Sequence, residues 1–487
     1  MSNLDAIYDY YEDKFTSWNP VMNFVMELKY RYFGYFGKFD YCKSDNMVEF
    51  WANALNEVGV TKYADVLKYV KVVEHCGLSL FKYNSIAVYN DDTDIALTDL
   101  WSMYDGFYRE CRGVVVDIRN DELVIAPYAK FFNLNELEET MYDNIVDYMN
   151  KNNLTTKDLE FTEKIDGCII CARWYHDELV VSASGSLDTK INPVIGWATN
   201  YIKNHENYLN LIRWFSDFLI LDKSTTFMFE CICPLESHVV EYDDNQHGLY
   251  LIGMRNIKTG FTHHYDEVIS MATAWRIPTT TMYKDYTLDH VISKMDDAVG
   301  TTHEGFVMNI KHKDGFRVKI KYSDYVQLAS IIDGLSKNKI VKYVYNDELD
   351  DIKSILRTKN KLIVLDELEK CEATVNEYIS TYNTLFNIYT TEVRNMAENG
   401  CKIAEIMKYI MKLDPKYVRG DVINAYKGLD VYMKNPYYQL TKQGSRNSKD
   451  IGYLTFNNIV DRLEEMKTIL QEDTVIETLE RNVDHEL

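Results

Sequence analysis

Apolar residues recur at three- and four-residue intervals early in the chain, as in Val21-Met22-Asn23-Phe24-Val25-Met26-Glu27-Leu28-Lys29-Tyr30. That spacing lines one face of a helix. From about residue 81 to 326 the pattern changes to short apolar runs. Examples are Gly113-Val114-Val115-Val116-Asp117, Thr226-Phe227-Met228-Phe229-Glu230 and Leu249-Tyr250-Leu251-Ile252-Gly253. They are rich in β-branched and aromatic residues and bounded by Gly, Asp and Asn, which predicts strands. His176-Asp177-Glu178 and Lys313-Asp314-Gly315 predict hairpin turns. A helical stretch from about Pro193 to Leu221 interrupts them. After about residue 327 the helical period returns, as in Asp350-Asp351-Ile352-Lys353-Ser354-Ile355-Leu356 and Ile459-Val460-Asp461-Arg462-Leu463-Glu464-Glu465-Met466. The expectation is an α+β fold. Antiparallel sheets with flanking helices occupy 81–326, between a helical extension over 1–80 and an all-α C-terminal domain over 327–487.

A length of 487 residues agrees with two or three domains, and 46% hydrophobic residues are ample for their cores. The formal net charge of −22 argues against non-specific nucleic-acid binding, which phosphate neutralisation drives. It leaves room for a small cationic site. The first residues lack a basic region followed by an apolar run, and no apolar stretch approaches the roughly 20 residues of a membrane span. A cytoplasmic protein is expected. The nine cysteines are scattered, which favours reduced thiols. Cys168 with Cys171, and Cys231 with Cys233, sit in strand-like runs and read as small apolar residues rather than a zinc site.

The chemistry centres on Glu163-Lys164-Ile165-Asp166-Gly167. A lysine nucleophile must be neutral to attack; neighbouring cations, desolvation or a metal can lower its pKa. In a strand Asp166 would share the face of Lys164, and Gly167 would let a ligand approach the backbone. Lys319 and Lys321 lie two apart in Arg317-Val318-Lys319-Ile320-Lys321, so they project from one face, a costly arrangement unless an anion sits there. Glu304-Gly305-Phe306-Val307 forms the first arm of the Lys313–Gly315 hairpin, and Glu230 ends the Phe227-Met228-Phe229 run. Upstream, Arg112 suits a phosphate, and Lys130 beside Phe131 and Phe132 offers a cation and a ring for a purine.

Taken in order, these segments resemble the covalent nucleotidyltransferase superfamily of ligases and capping enzymes, and within it the bacteriophage RNA ligase 1 family. Lys164-Ile165-Asp166-Gly167 resembles the nucleotidyl-lysine motif, Phe229-Glu230 the third motif, Glu304-Gly305 the fourth and Lys319-Ile320-Lys321 the fifth. Outside those shared motifs, Glu110-Cys111-Arg112-Gly113, Lys130 to Glu136, Ile86 to Asn90 and Ile331-Ile332-Asp333-Gly334 are similar to segments of the RNA ligase 1 family. The likeness runs from about Phe81 to Gly334.

The resemblance implies a nucleotidyltransferase (adenylation) domain and an ATP-dependent RNA ligase using Mg2+ or Mn2+. Lys164 would be the adenylated nucleophile, with Lys319, Lys321 and Glu304 as further catalytic residues. Tyr89, Arg112, Lys130, Phe132, Asp166, Gly167 and Glu230 would join them in holding ATP. Asp333, Glu304 and Glu230 would serve the metal. The partner would be RNA with 5′-phosphate and 3′-hydroxyl ends, tRNA among them, and the protein a monomer in the cytoplasm, the host's if viral. Two departures stand out. Family lysines in the strand after the nucleophile fall at Ser182 and Ser184, with Lys190 as a substitute, and a family arginine after the third motif is missing, with His238 nearby. Tyr437, Tyr438, Lys442 and Arg446 form a basic and aromatic cluster in the helical tail. The alternatives are a DNA ligase or capping guanylyltransferase, which normally carry an OB-type barrel where this tail reads as helical, and a non-catalytic nucleotide- or RNA-binding module.

Overall fold

The computed structural model describes residues 17–31, 66–84, 97–217, 224–428 and 454–483, apart from positions 237, 298, 300, 301, 312, 314, 347, 348 and 360. Tyr89 and the cluster at Tyr437, Tyr438, Lys442 and Arg446 lie outside the described residues. The chain divides into two compact units, residues 1–326 and 327–487.

The first unit carries three sheets. Strands β1 (Val70–His75), β2 (Leu78–Tyr83), β3 (Arg112–Asp117) and β4 (Glu122–Ile125) form an antiparallel meander. Two larger sheets are built from β5 (Phe132–Asn133), β6 (Leu159–Lys164), β7 (Cys168–Tyr175), β8 (Glu178–Ala183), β9 (Thr225–Ile232), β10 (Gly248–Asn256), β11 (Met282–Tyr283), β12 (Gly305–Ile310) and β13 (Arg317–Lys321). One runs in the order β10-β9-β7-β8, the other β11-β6-β12-β13-β5. All pairings are antiparallel except β13 with β5, a parallel pair that the sequence pattern did not reveal. The turns at His176-Asp177 and after Ile310 close the β7–β8 and β12–β13 hairpins.

Two of the cores of this unit place the strands that carry the site. In one, helix Pro20–Arg31 packs Phe24 and Val25 against Phe81, Phe107 and Val114. In the other, helices Pro193–Asn204 and Glu206–Asp217 bury Ile195, Ile202 and Leu211 against Phe227, Phe229 and Leu251. The single helical stretch expected from 193 to 221 is thus two helices. Residues 70–80 depart from the helical reading: they form β1 and the start of β2, so a hairpin crosses position 80. The β-branched run Val70-Lys71-Val72-Val73 gains more by pairing with β2 than helix spacing offers.

In the second unit every described element is helical, from Lys337–Asn346 through the long Leu362–Glu398 to Phe456–Val483. Val375, Leu385, Phe386 and Tyr389 on the long helix form its core with Ile406, Ile410, Ile459 and Met466. Among the described residues no helix is long and apolar enough to cross a membrane.

Candidate active site

The site is a product of strand register. β12 lies between β6 and β13, and Gly305 is paired with Lys164 on one side and Lys321 on the other. Alternation then aligns one face of three strands: Glu160, Thr162 and Lys164 on β6, Gly305, Val307 and Asn309 on β12, and Arg317, Lys319 and Lys321 on β13. This face forms one wall of a cavity of about 220 Å³, and Ile169 of β7, Glu230 of β9 and Ile252 of β10 form another. Arg112 and Phe131 also line it. Glycine is required at 305: its φ is +151°, and a Cβ there would collide with the Ile320 carbonyl.

Glu304 is the hub. Its side chain is 3% exposed, its Oε2 accepts from Lys164 Nζ at 2.6 Å, and its Oε1 lies 2.9 Å from Lys321 Nζ. Burial pulls the Lys164 pKa down, but the carboxylates of Glu304, Glu230 and Asp166 outweigh it and hold the amine above its ordinary value. Lys164 therefore rests as an ammonium. This corrects the expectation that surrounding cations keep it neutral.

The neutral amine is Lys319. Burial, then the charges of Lys130, Arg112, Lys164 and Lys321, lower its pKa to about 6. Its Nζ sits 4.9 Å from the centre of the Phe131 ring. Arg112 stacks on the same ring at 5.1 Å, and its buried Nη1 has no hydrogen-bond partner among the described residues. A buried guanidinium nitrogen left unpaired points to an acceptor supplied from outside. Burial raises Glu230 to about 7, with Glu304 adding to it and Lys164 opposing.

Parts of the chain are similar to known proteins. Residues 110–325 match the RNA ligase family. Three relatives share parts of the chain. The tRNA ligase 1 of Schizosaccharomyces pombe is 27% identical over 169 residues, 34% of this chain and 21% of its own. A protein of Autographa californica nuclear polyhedrosis virus, provisionally named a bifunctional polynucleotide kinase/RNA ligase, is 23% identical over 58% of this chain and 38% of its own. One of Thermovibrio ammonificans, provisionally named an RNA ligase, is 26% identical over 50% of this chain and 60% of its own. The chain thus spans less than two thirds of each. Among solved structures, the Naegleria gruberi RNA ligase with PPi overlaps at a TM-score of 0.28 and 14% identity, covering 35% of this chain and 50% of that one.

Within residues 110–325, several residues sit differently from expectation. Phe132 is not on the cavity wall. It is 1% exposed in the first core, 5.3 Å from Trp101, and its neighbour Phe131 faces the cavity instead. Phe131 lies just before β5, where the two rings diverge, and the sequence reading takes the wrong one. Lys130 is also off the wall; it stands over the Phe132 ring and reaches the site through its charge. Asp166 does not continue the strand, because β6 ends at Lys164. It is buried, accepting from Val240 N and the Tyr325 hydroxyl at 2.9 Å each, and it pins the segment after the nucleophile. Gly167 does line the cavity, but the room it leaves is taken by β9: a Cβ would lie 2.6 Å from the Cys231 carbonyl oxygen.

The departures resolve in part. Ser182 is buried opposite Cys171, and Lys190 is exposed. The amine that packs against this turn is Lys82 of β2, which a Cβ at Gly185 would strike. His238 has a buried Nε2 without a partner among the described residues and does not line the cavity. Asp333 falls in helix Ser323–Gly334, its side chain outside the described residues. Cys168 faces Cys231 across β7 and β9, and among the described residues no group of three or more His, Cys, Asp or Glu is placed to hold a metal. Sequence reasoning missed Arg255. Buried on β10, it grips Glu110 through two bonds of 2.9 Å and stacks on Trp18, bracing the lead-in to Arg112. Its only signal was a place in the run after the third motif.

Proposed function

We propose that this chain is an ATP-dependent RNA ligase acting through a lysyl-AMP intermediate on Lys164. One observation carries the reading: Glu304 touches the amines of both Lys164 and Lys321, inside a cavity that also holds Lys319 and Arg112. The RNA ligase family match over 110–325 supports the substrate class.

The ammonium of Lys164 must first lose a proton, and Glu304 at 2.6 Å is its acceptor. The Nζ then attacks the α-phosphorus of ATP. The N–P bond forms as the bond to the bridging oxygen breaks, pyrophosphate leaves, and the remaining excess proton on nitrogen passes to solvent. Lys319, Lys321 and Arg112 face the charge that develops on the phosphoryl oxygens. In the following steps AMP passes from Lys164 to an RNA 5′-phosphate. A 3′-hydroxyl then displaces AMP to join the strands.

Mg2+ is commonly held by one or two carboxylates together with substrate phosphates. Glu230 fits that role, because both Glu304 oxygens are engaged by lysines. A divalent ion bound there would shield the triphosphate. The name of the fission yeast relative favours tRNA as the RNA, and the helical unit over 327–487 is proposed to recognise it. Incubation with α-labelled ATP followed by a denaturing gel tests the reading. The native chain is expected to carry the label and Lys164→Ala to carry none. Label surviving in Lys164→Ala would end the assignment.

A further inference from the structure

The cavity extends beyond the charged end. Glu160 and Asn309 face each other across β6 and β12, four residues along their strands from the paired Lys164 and Gly305. That is roughly 13 Å at the rise of a strand, a span a nucleotide bridges from its phosphate to the far edge of its base. Between the two ends lie Val307, paired with Thr162, on one sheet and Ile252 on the other.

At the far end, Glu160 is 1% exposed. Its Oε1 accepts from Tyr265 N at 3.2 Å and lies 3.8 Å from Lys311 Nζ; both contacts call for an acceptor oxygen. Its Oε2 accepts from Asn309 Nδ2 at 2.7 Å. A carboxylate only accepts, so the Asn309 amide cannot turn over without facing oxygen to oxygen. The amide is therefore fixed with Nδ2 on Glu160, and no described residue donates to its Oδ1. The neighbouring groups are engaged. Tyr265 and Thr280 bond each other at 2.6 Å, Tyr128 donates to the Ile252 carbonyl, and His263 pairs with Glu267. Arg317 of β13, paired with Asn309, also faces this end and stacks on the Tyr128 ring at 3.8 Å; what Asn309 itself holds out to a ligand is an acceptor.

We propose that Asn309, oriented by Glu160, selects the base of the nucleotide used by Lys164, accepting a 6-amino purine and rejecting a 6-oxo purine. Asn309 is the specificity residue and Glu160 a positioning residue. The inference rests on the nucleotidyl-transfer reading above. A 6-amino group donates to the Asn309 Oδ1, whereas a 6-oxo group sets two acceptors against each other and leaves both unpaired.

The test compares ATP with inosine triphosphate, which differs in this group and in the hydrogen that N1 carries with it. The native chain is expected to label from ATP with a KM lower by about tenfold to a hundredfold. Asn309→Ala, and Glu160→Gln, whose amide lets Asn309 turn over, should bring the two KM values within a few-fold by raising that for ATP while kcat is retained. A ratio unchanged in Asn309→Ala overturns the assignment and leaves lysine adenylation standing. A native chain that takes no label from ATP overturns the ligase reading itself, and this assignment with it. Should Glu160→Gln fail to fold, Asn309→Ala, at a half-buried position, decides alone.

Discussion

The two units handle charge in opposite ways. In residues 327–487, cations sit beside carboxylates of another helix of the same unit: Lys353 with Glu372 at 2.5 Å, Arg357 with Glu369 at 2.8 Å, Lys467 with Glu377 at 2.8 Å. In the cavity of the first unit, Glu304 is shared by two lysines, while Lys319 and Arg112 line the same cavity with no carboxylate paired to either among the described residues. Pairs of the first kind close the ledger locally and add a little stability. The second arrangement is incomplete until an anion arrives, and that incompleteness marks the functional unit in a chain of net charge −22.

Removing the hub should break this contrast most sharply. Glu304→Gln leaves the Lys164 and Lys321 amines adjacent with no charge between them and takes away the proton acceptor. Adenylation is expected to fall by on the order of a hundredfold or more. Stability should drop by ~3 kcal/mol, because breaking a buried pair leaves a charge uncompensated. Single-turnover labelling and a denaturant melt read the two effects separately.

The next effect concerns Lys319. With a pKa of about 6 its free amine is neutral near physiological pH. A bound triphosphate favours the ammonium and raises the pKa, so ATP binding should draw in close to one proton. The sign follows: affinity is highest below pH 6, where the amine is already charged, and weakens as pH rises until the pKa of the complex is passed. Calorimetry in buffers of different ionisation enthalpy measures this uptake. Lys319→Met should abolish it and weaken ATP binding by roughly tenfold to a hundredfold. Uptake unchanged in Lys319→Met would assign the proton elsewhere.

A smaller effect is expected at Arg255→Lys. A lysine cannot reproduce the two parallel bonds to Glu110, and the Arg112 lead-in loses its brace. Stability should fall by ~2 kcal/mol, with adenylation lowered only in proportion to the folded fraction.

How far these sites can be read from sequence depends on phase. The set Arg317, Lys319 and Lys321 announces a common face because the strand is long enough for alternation to repeat. At Phe131-Phe132 the strand is only Phe132–Asn133, too short for alternation to tell which ring faces the cavity. Asp166 looked like a continuation of the Lys164 face, but the strand ends between them. Glu160 and Asn309 carry no motif at all. They meet only because β12 pairs with β6 across 149 positions of sequence, and such a register is invisible in either segment alone. Arg255 with Glu110 is the same case at a separation of 145.

The smallest effect should be at Lys353→Met, and it sharpens the comparison from the other side. Lys353 is a partly buried cation as well, its side chain 11% exposed, yet Glu372 at 2.5 Å and Asp350 at 3.9 Å satisfy it within the helical unit. Methionine keeps the apolar stem and removes the charge, so the loss is that of one surface-proximal pair, about 1 kcal/mol or less. The melting transition should shift slightly, and labelling of Lys164 from ATP should stay at the native level. A marked fall in labelling would mean that cations already paired also serve the chemistry, and unbalanced charge would no longer separate the two units.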